Sequence, residues 1–203
     1  EAAHLSALLG LHAALRDEAA AHRDAGEEAV AGLVERSAAA LLHEHLLPWL
    51  PPFLDRVEAL GNPHQAAWAG LLRETVVSGV DEEPSEAPVH LSQAPALPDP
   101  RSEGGADFAA HLLAPGRTGV ILTRHDLAVV ARGLGLGLRA GERRYALDHL
   151  LGLDPAGTLA ALAEAARDRA SSYLRWPETL ERLRRFWVSR AERTASLLEE
   201  LAA

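Results

Sequence analysis

Residues 45–53 read His45-Leu46-Leu47-Pro48-Trp49-Leu50-Pro51-Pro52-Phe53 and lie between two runs of apolar residues with helical spacing. Proline lacks an N–H donor and its ring crowds the preceding turn, so an ordinary helix is expected to stop or bend here. The residues around the prolines are leucines and aromatics, which are too apolar for a plain surface loop. A large aromatic side chain at a bend lines a groove or fills a core, and local chemistry alone favours the core.

The composition favours helices. The chain has 203 residues, of which 48% are hydrophobic and only 4% aromatic, so its apolar mass is mainly alanine, leucine and valine. Such residues favour packed helices over sheets, and the length suffices for a sizeable core. Cysteine is absent, which excludes disulfides and thiolate metal sites and fits a cytoplasmic protein. We therefore predict an all-α bundle in the cytoplasm.

Charge and hydropathy exclude several classes of partner. The formal net charge is −9, and an acidic surface repels a phosphate backbone, so we expect no nucleic acid partner. No apolar run approaches the roughly 20 residues of a membrane span, and no signal peptide is recognisable. The chain has no methionine at position 1 and begins within a helical pattern, so we expect it to be a piece of a longer protein.

Helical periodicity predicts about eight helices in three regions. Residues 1–79 form the first region, in which two helices pair as an antiparallel hairpin before the proline corner and two more follow it. Residues 80–106 are rich in proline and acid, and we interpret them as a mobile linker or an arm that reaches a neighbouring chain, which makes a homodimer conceivable. Residues 107–203 return to helical spacing and form a C-terminal extension.

Capping residues mark several helix starts. Asn62 precedes Pro63, which is the preferred order of a cap and a first helical residue. Thr123 and Asp126 are spaced as a capping-box variant, and Asp154 stands before another proline. Helices are therefore expected to begin at these three places.

The histidines do not have the spacing of a metal site. The chain has ten of them, but His43 and His45 are two apart and would point to nearly opposite sides of a helix. There is no His-Glu-x-x-His pattern, nucleophile elbow, phosphate loop or dinucleotide fingerprint in the sequence. We therefore expect no catalytic residue, no metal and no cofactor.

One segment is similar to part of a DNA-binding motif. Residues 127–136 resemble the first helix and turn of a helix-turn-helix, with Ala131 and Gly135 four apart. A recognition helix should follow at once, but residues 137–141 intervene and are too long for the tight turn. An ordinary helical hairpin is favoured, and a DNA-binding regulator stays the less favoured alternative.

Three segments together resemble a known family. They are HLSALLGLHAAL at residues 4–15, HEHLLPWLPPF at 43–53 and NPHQAAWAGLL at 62–72. The family is TorD/DmsD, the maturation chaperones of molybdenum-containing oxidoreductases, and the segments are similar to its C-terminal half. Residues 108–203 are similar to a C-terminal extension of some longer members. The resemblance implies a TorD-like helical fold.

The resemblance also implies a function that needs no catalytic residue. Members bind the twin-arginine signal peptide of an apo-enzyme in the cytoplasm, prevent premature export and assist cofactor insertion. A signal peptide is basic and then apolar, so an acidic protein with an apolar groove is complementary to it. The residues that match the family motifs, and that the resemblance assigns to signal-peptide binding, are His4, Leu5, His45, Leu46, Trp49 and Phe53.

From these matches we predict one wall of the groove. Trp49 and Phe53, together with Leu46 and His45, are expected to contact the apolar part of the leader. The basic part is expected to meet the nearby acidic residues Glu44, Asp55 and Glu58. His4 and His45 are expected to be neutral and structural on apolar helix faces.

The sequence leaves a second function class open. A non-catalytic helical adaptor or oligomerisation subunit would have the same composition, with its grooves filled by its own linker. Recovery of a large molybdoenzyme in a pull-down would favour the chaperone over the adaptor and the regulator.

Overall fold

The computed structural model describes residues 5–60, 62–80, 91, 93–103, 107–138 and 140–203, except that for residue 103 the backbone alone is described. Within these ranges every regular element is a helix, which confirms the predicted all-α class. The bounds of the α-helices are α1 Leu5–Asp24, α2 Glu28–Ala40, α3 Leu50–Ala59, α4 Pro63–Ser78, α5 Pro100–Glu103, α6 Phe108–Leu112, α7 Pro115–Thr118, α8 Arg124–Gly133, α9 Arg143–Leu153, α10 Pro155–Tyr173 and α11 Glu181–Ala202. A π-helical segment, Leu41–Leu46, follows α2, and a 3₁₀ turn, Glu178–Leu180, precedes α11.

The predicted number of about eight helices was too low, because the described ranges hold eleven α-helices. The helices that raise the number are short: α5, α6 and α7 have 4, 5 and 4 residues. An apolar period of 3.6 residues needs a longer window before it can be recognised, so single turns of this kind leave little pattern in a sequence.

The chain divides by its internal contacts into two compact units, residues 1–51 and 52–203, so the division falls within α3. This division differs from the predicted regions 1–79, 80–106 and 107–203, which stay a prediction.

The first unit is a helical hairpin. α1 packs along α2, and the short turn between Asp24 and Glu28 returns the chain at Gly26, whose φ is +78°. Only Ala19 of α1 is fully buried, and three large apolar side chains of the hairpin are exposed. Two helices cover only one face of each other, so part of the apolar surface remains open. The exposed residues are Leu11, Val30 and Leu33.

The second unit has its core between its two longest helices. α10 and α11 pack against each other along their length. Tyr173 and Trp187 are fully buried there, with ring centroids 6.2 Å apart, and Trp176 lies 4.9 Å from the Tyr173 ring. The Tyr173 hydroxyl donates a hydrogen bond to the Gly119 carbonyl at 3.0 Å, so the polar tip of this buried ring is satisfied.

The described part of the predicted linker packs on the second unit. Leu91 and Leu97 are buried, and the carbonyl oxygens of Ala94 and Ala96 accept hydrogen bonds from arginines of α11 and α7. Residues 81–90, 92 and 104–106 lie outside the described residues. Burial of Leu97 and these carbonyl contacts hold residues 93–97 against the second unit, whereas the mobile linker or arm over residues 80–106 stays a prediction.

Candidate functional site

The proline corner has more regular structure than the sequence predicts. The Leu47 N–H donates to the Leu42 carbonyl at 2.8 Å, a hydrogen bond to the fifth residue back that defines a π-helical turn. After a turn over residues 47–49, α3 begins at Leu50. Pro51 and Pro52 stand in its first turn, where no N–H is needed, so they start a helix instead of preventing one.

The Trp49 side chain is fixed by a hydrogen bond to the backbone four residues before it. Its indole Nε1–H donates to the His45 carbonyl at 2.6 Å, while the ring is half-buried. The His45 side chain is exposed, so the expectation of a structural histidine on an apolar face is wrong for this residue. Its neighbours Leu42 and Leu46 occupy the buried positions of the π-helical segment instead.

The remaining predicted binding residues lie in different surroundings. Leu46 is 0% exposed, so it has no surface to offer a peptide in this structure. Leu5 begins α1 and is half-buried, and His4 lies outside the described residues. Phe53 is half-buried in α3 and belongs to the second unit. The structure thus joins His45 and Trp49 by a hydrogen bond, and one groove that contains all six residues stays a prediction.

The acidic residues that were expected to meet a basic peptide are largely engaged. Asp55 accepts a hydrogen bond from the Trp176 indole at 2.8 Å and lies 2.7 Å from an Arg73 nitrogen, which also lies 3.1 Å from Glu58. The Asp55 side chain is only 11% exposed, and burial raises the pKa of its carboxyl group. The expectation is therefore wrong for Asp55, whereas Glu44 is exposed.

A second exposed apolar surface lies on α4. The side chains of Trp68 and Leu71 are 45% and 65% exposed and stand one helical turn apart. In the sequence Trp68 and Leu71 recur at helical spacing with Leu72, Thr75 and Val76, a pattern that does not tell which of these side chains a neighbour covers. Ala69 and Val76 are the buried residues of this helix. We call the pair Trp68 and Leu71 the α4 face.

A buried charge network fixes α3 within the second unit. Arg56 is 3% exposed, and its Nη2 donates to the Asp126 Oδ1 atom at 2.6 Å, while Arg169 lies 3.5 Å from the same oxygen. The other oxygen, Oδ2, accepts hydrogen bonds from the N–H and hydroxyl of Thr123 in the capping box at the start of α8. Burial lowers the pKa of Arg56, and the charge of Asp126 opposes that shift. The network links α3 to the start of α8.

One ligand-sized groove lies between α10 and α11. Its volume is about 360 Å³, within the range of small-molecule sites, and its lining combines charged, hydroxyl and apolar groups. The groove is open to solvent, and no nucleophile paired with a base lies in it. The lining residues are Arg167, Ala170, Ser171, Leu174, Glu192 and Ser196.

The structure also bears on the helix-turn-helix segment, on a metal site and on a membrane-spanning helix. The segment similar to a helix-turn-helix, residues 127–136, covers the end of α8 and the three residues after it. Nine residues, 134–142, separate α8 from α9, which is more than the tight turn of that motif allows. In the described ranges no three His, Asp or Glu side chains come together as metal ligands do. Nor does any helix there have both the length and the apolar composition that crossing a lipid bilayer requires.

Comparison of the chain with protein-family models, curated proteins and solved structures finds no match. The resemblance to the TorD/DmsD family therefore rests on the three sequence segments.

Proposed function

We propose that this protein is a cytoplasmic chaperone that binds the twin-arginine signal peptide of a molybdenum-containing oxidoreductase. It assists the folding and cofactor insertion of that enzyme before export and carries no catalytic residue of its own. The proposal is supported by the sequence resemblance, by the acidic charge and, above all, by the way in which Trp49 is held at the proline corner.

Trp49 has the properties of an aromatic anchor. Its ring N–H is satisfied by the His45 carbonyl, so the partly exposed ring face needs no polar partner and can contact an apolar side chain. Because the same hydrogen bond fixes the ring, little rotamer freedom remains to be lost on binding. Rigid aromatic residues of this kind dominate the binding energy of many interfaces.

The charge of the chain suits the basic part of a leader peptide. The net charge of −9 attracts a peptide with paired arginines over the distance of a Debye length. The exposed Glu44 lies next in sequence to His45 and is the predicted acidic contact that remains available. We therefore place the arginine-binding part of the site beside the π-helical segment.

The α4 face supports a second candidate function. Two large apolar side chains that stand exposed one turn apart are typical of a surface that meets another protein. A helical adaptor or oligomerisation subunit would use this face and would have no affinity for a leader peptide.

Calorimetric titration with a synthetic twin-arginine leader tests the two candidates. We expect the wild-type chain to bind the peptide and Trp49→Ala to weaken binding by about 2 kcal/mol or more, as for a central anchor. Trp68→Ala, which removes the same side chain from the α4 face, is the matched control and should leave the affinity unchanged.

Other results would reject the proposal. A folded Trp49→Ala variant that binds the leader as tightly as the wild type assigns this tryptophan to the core. Absence of leader binding by the wild type, together with a self-association that Trp68→Ala abolishes, would favour the adaptor.

A further inference from the structure

Three arginines of the second unit gather without an acidic partner. Arg117 lies on α7, and Arg190 and Arg193 lie one turn apart on α11, which packs against α7. Among the described residues none of the three forms an ion pair, although acidic residues outnumber basic ones by 29 to 20 in the chain. Most buried or half-buried arginines elsewhere in the second unit, such as Arg56 and Arg73, do have carboxylate partners.

Two of the arginines are held against the same short segment. Arg117 Nη1 donates to the Ala96 carbonyl at 3.4 Å, and Arg190 Nη2 donates to the Ala94 carbonyl at 3.0 Å. These carbonyls belong to residues two apart, so the two guanidinium groups lie close together. Arg193 joins them because residues three apart on a helix are neighbours.

Arg190 is left with an unused donor. Its Nη1 atom is buried and has no hydrogen-bond partner, while the guanidinium carbon lies 5.0 Å from the centroid of the Phe186 ring. Burial, followed by the charges of Arg193 and Arg117, lowers the pKa of Arg190. A buried donor without an acceptor, surrounded by like charges, is unfavourable unless an anion completes the site.

The acidic residue nearest in sequence, Glu192, is exposed and lines the groove between α10 and α11, and several other acidic residues nearby have ion-pair partners. On α11, Glu199 pairs with Arg167 and Glu200 lies 3.1 Å from Arg101. Asp99, three residues after Ala96, lies 2.8 Å from the same Arg101 nitrogen. No described carboxylate, Glu192 included, forms an ion pair with Arg117, Arg190 or Arg193.

We propose that Arg117, Arg190 and Arg193 form a binding site for a phosphate group, either inorganic phosphate or a phosphate monoester. Guanidinium groups present paired N–H donors that match the oxygens of phosphate, and the charge-assisted hydrogen bonds that result are strong. A phosphate dianion balances two guanidinium charges, whereas a single carboxylate balances one. The site lies in the second unit and is independent of the proline corner.

Calorimetric titration of the whole chain at constant ionic strength tests this site. We expect saturable binding of inorganic phosphate, none of chloride, and about tenfold or greater weakening in Arg193→Ala, because one charge-assisted partner is lost. Arg193 is exposed, so its removal should be tolerated. Arg132→Ala removes an arginine from an exposed position on α8 and is the matched control, for which we expect unchanged binding.

Titration with O-phosphoserine identifies the source of the phosphate group. Tighter binding of this monoester than of inorganic phosphate would support the site and assign it to a phosphorylated ligand, whereas equal or weaker binding would support inorganic phosphate. Arg190→Lys keeps the charge but loses the paired donors, and we expect it to weaken phosphate binding as well.

Two results would overturn the proposal. The first is the absence of saturable phosphate binding, or binding that Arg193→Ala leaves intact. The second is a loss of thermal stability in Arg190→Lys that is equal with and without phosphate, with phosphate affinity unchanged. That outcome would assign the cluster to holding residues 94–96 alone.

Discussion

At the scale of single residues, Asp126 shows how one carboxylate serves two parts of the fold. One of its oxygens accepts a hydrogen bond from the guanidinium of Arg56, which is almost completely buried. The other accepts a hydrogen bond from the N–H of Thr123 in the cap of α8. The cap is local and its residues are visible in the sequence. The partner of the first oxygen lies 70 residues away, so no local pattern could identify it.

Removal of Arg56 should therefore be costly. We expect Arg56→Ala to lower the free energy of unfolding by about 3–5 kcal/mol, because it leaves the half-buried Asp126 without its main partner. Arg144→Ala breaks an exposed pair with Asp148 and should lower it by at most about 1 kcal/mol. Urea denaturation of both variants measures the difference. Equal losses would mean that water reaches the Arg56 pair as freely as a surface pair.

At the scale of elements, Gly119 determines how closely α7 and the segment after it approach α11. Its φ is +71°, and a Cβ atom built on it would lie 2.5 Å from the Ala191 nitrogen and 2.9 Å from atoms of Arg190. The nearest of these atoms belong to the helix backbone, which cannot move aside easily. Gly135 has a similar φ of +68° but no atom within 4 Å of such a Cβ.

Alanine substitution at these two glycines distinguishes the cost of backbone strain from the cost of steric overlap. We expect Gly135→Ala to cost about 1–2 kcal/mol of stability, the usual penalty of a left-handed alanine. Gly119→Ala should cost a further 1–3 kcal/mol or so from overpacking against α11. Thermal and urea unfolding of the two variants measure the difference. Equal costs would show that the contact between Gly119 and Ala191 relaxes without penalty.

Helix starts and the helical class could be predicted from the sequence, but other elements could not. The caps at Asn62, Thr123 and Asp154 are present because cap and first turn are chemically local. The π-helical segment depends on which carbonyl Leu47 bonds, and apolar spacing does not report that choice. The sequence alone does not tell whether a proline stands before a helix or within its first turn, so it predicts a helix break at the prolines that begin α3.

At the scale of the whole molecule, the two units differ in what they bury. The second unit encloses Tyr173 and Trp187, whereas α1 of the first unit buries only Ala19. A piece of about 50 residues rarely obtains more than about 3–5 kcal/mol from its own core. Stability of the chain should therefore reside mainly in residues 52–203.

Expression of the two units apart measures this asymmetry. We expect residues 52–203 to unfold cooperatively in urea and to keep the near-ultraviolet circular dichroism of a packed tryptophan. We expect residues 1–51 alone to show a broad transition without such a signal. A cooperative transition of residues 1–51 together with a broad one of 52–203 would contradict this assignment.

The sequence predicts the candidate site only where its contacts join residues close together in the chain. The sequence drew attention to Trp49, and its hydrogen bond to His45 is a contact between residues four apart. Burial of Leu46 and engagement of Asp55 depend on distant packing, such as the contact of Asp55 with Trp176, and the sequence does not display them. The arginine cluster joins α7 to α11 and was missed for the same reason.

The π-helical segment also sets the phase of the chain that follows it. Successive residues of an α-helix are rotated by about 100° about its axis, so one additional residue in a turn re-aims every later side chain by a comparable angle. The number of residues between Leu41 and Leu46 therefore determines the direction of the Trp49 side chain relative to α1 and α2 as much as the prolines do. A change of length in this segment would redirect the tryptophan even if every residue of the corner were kept.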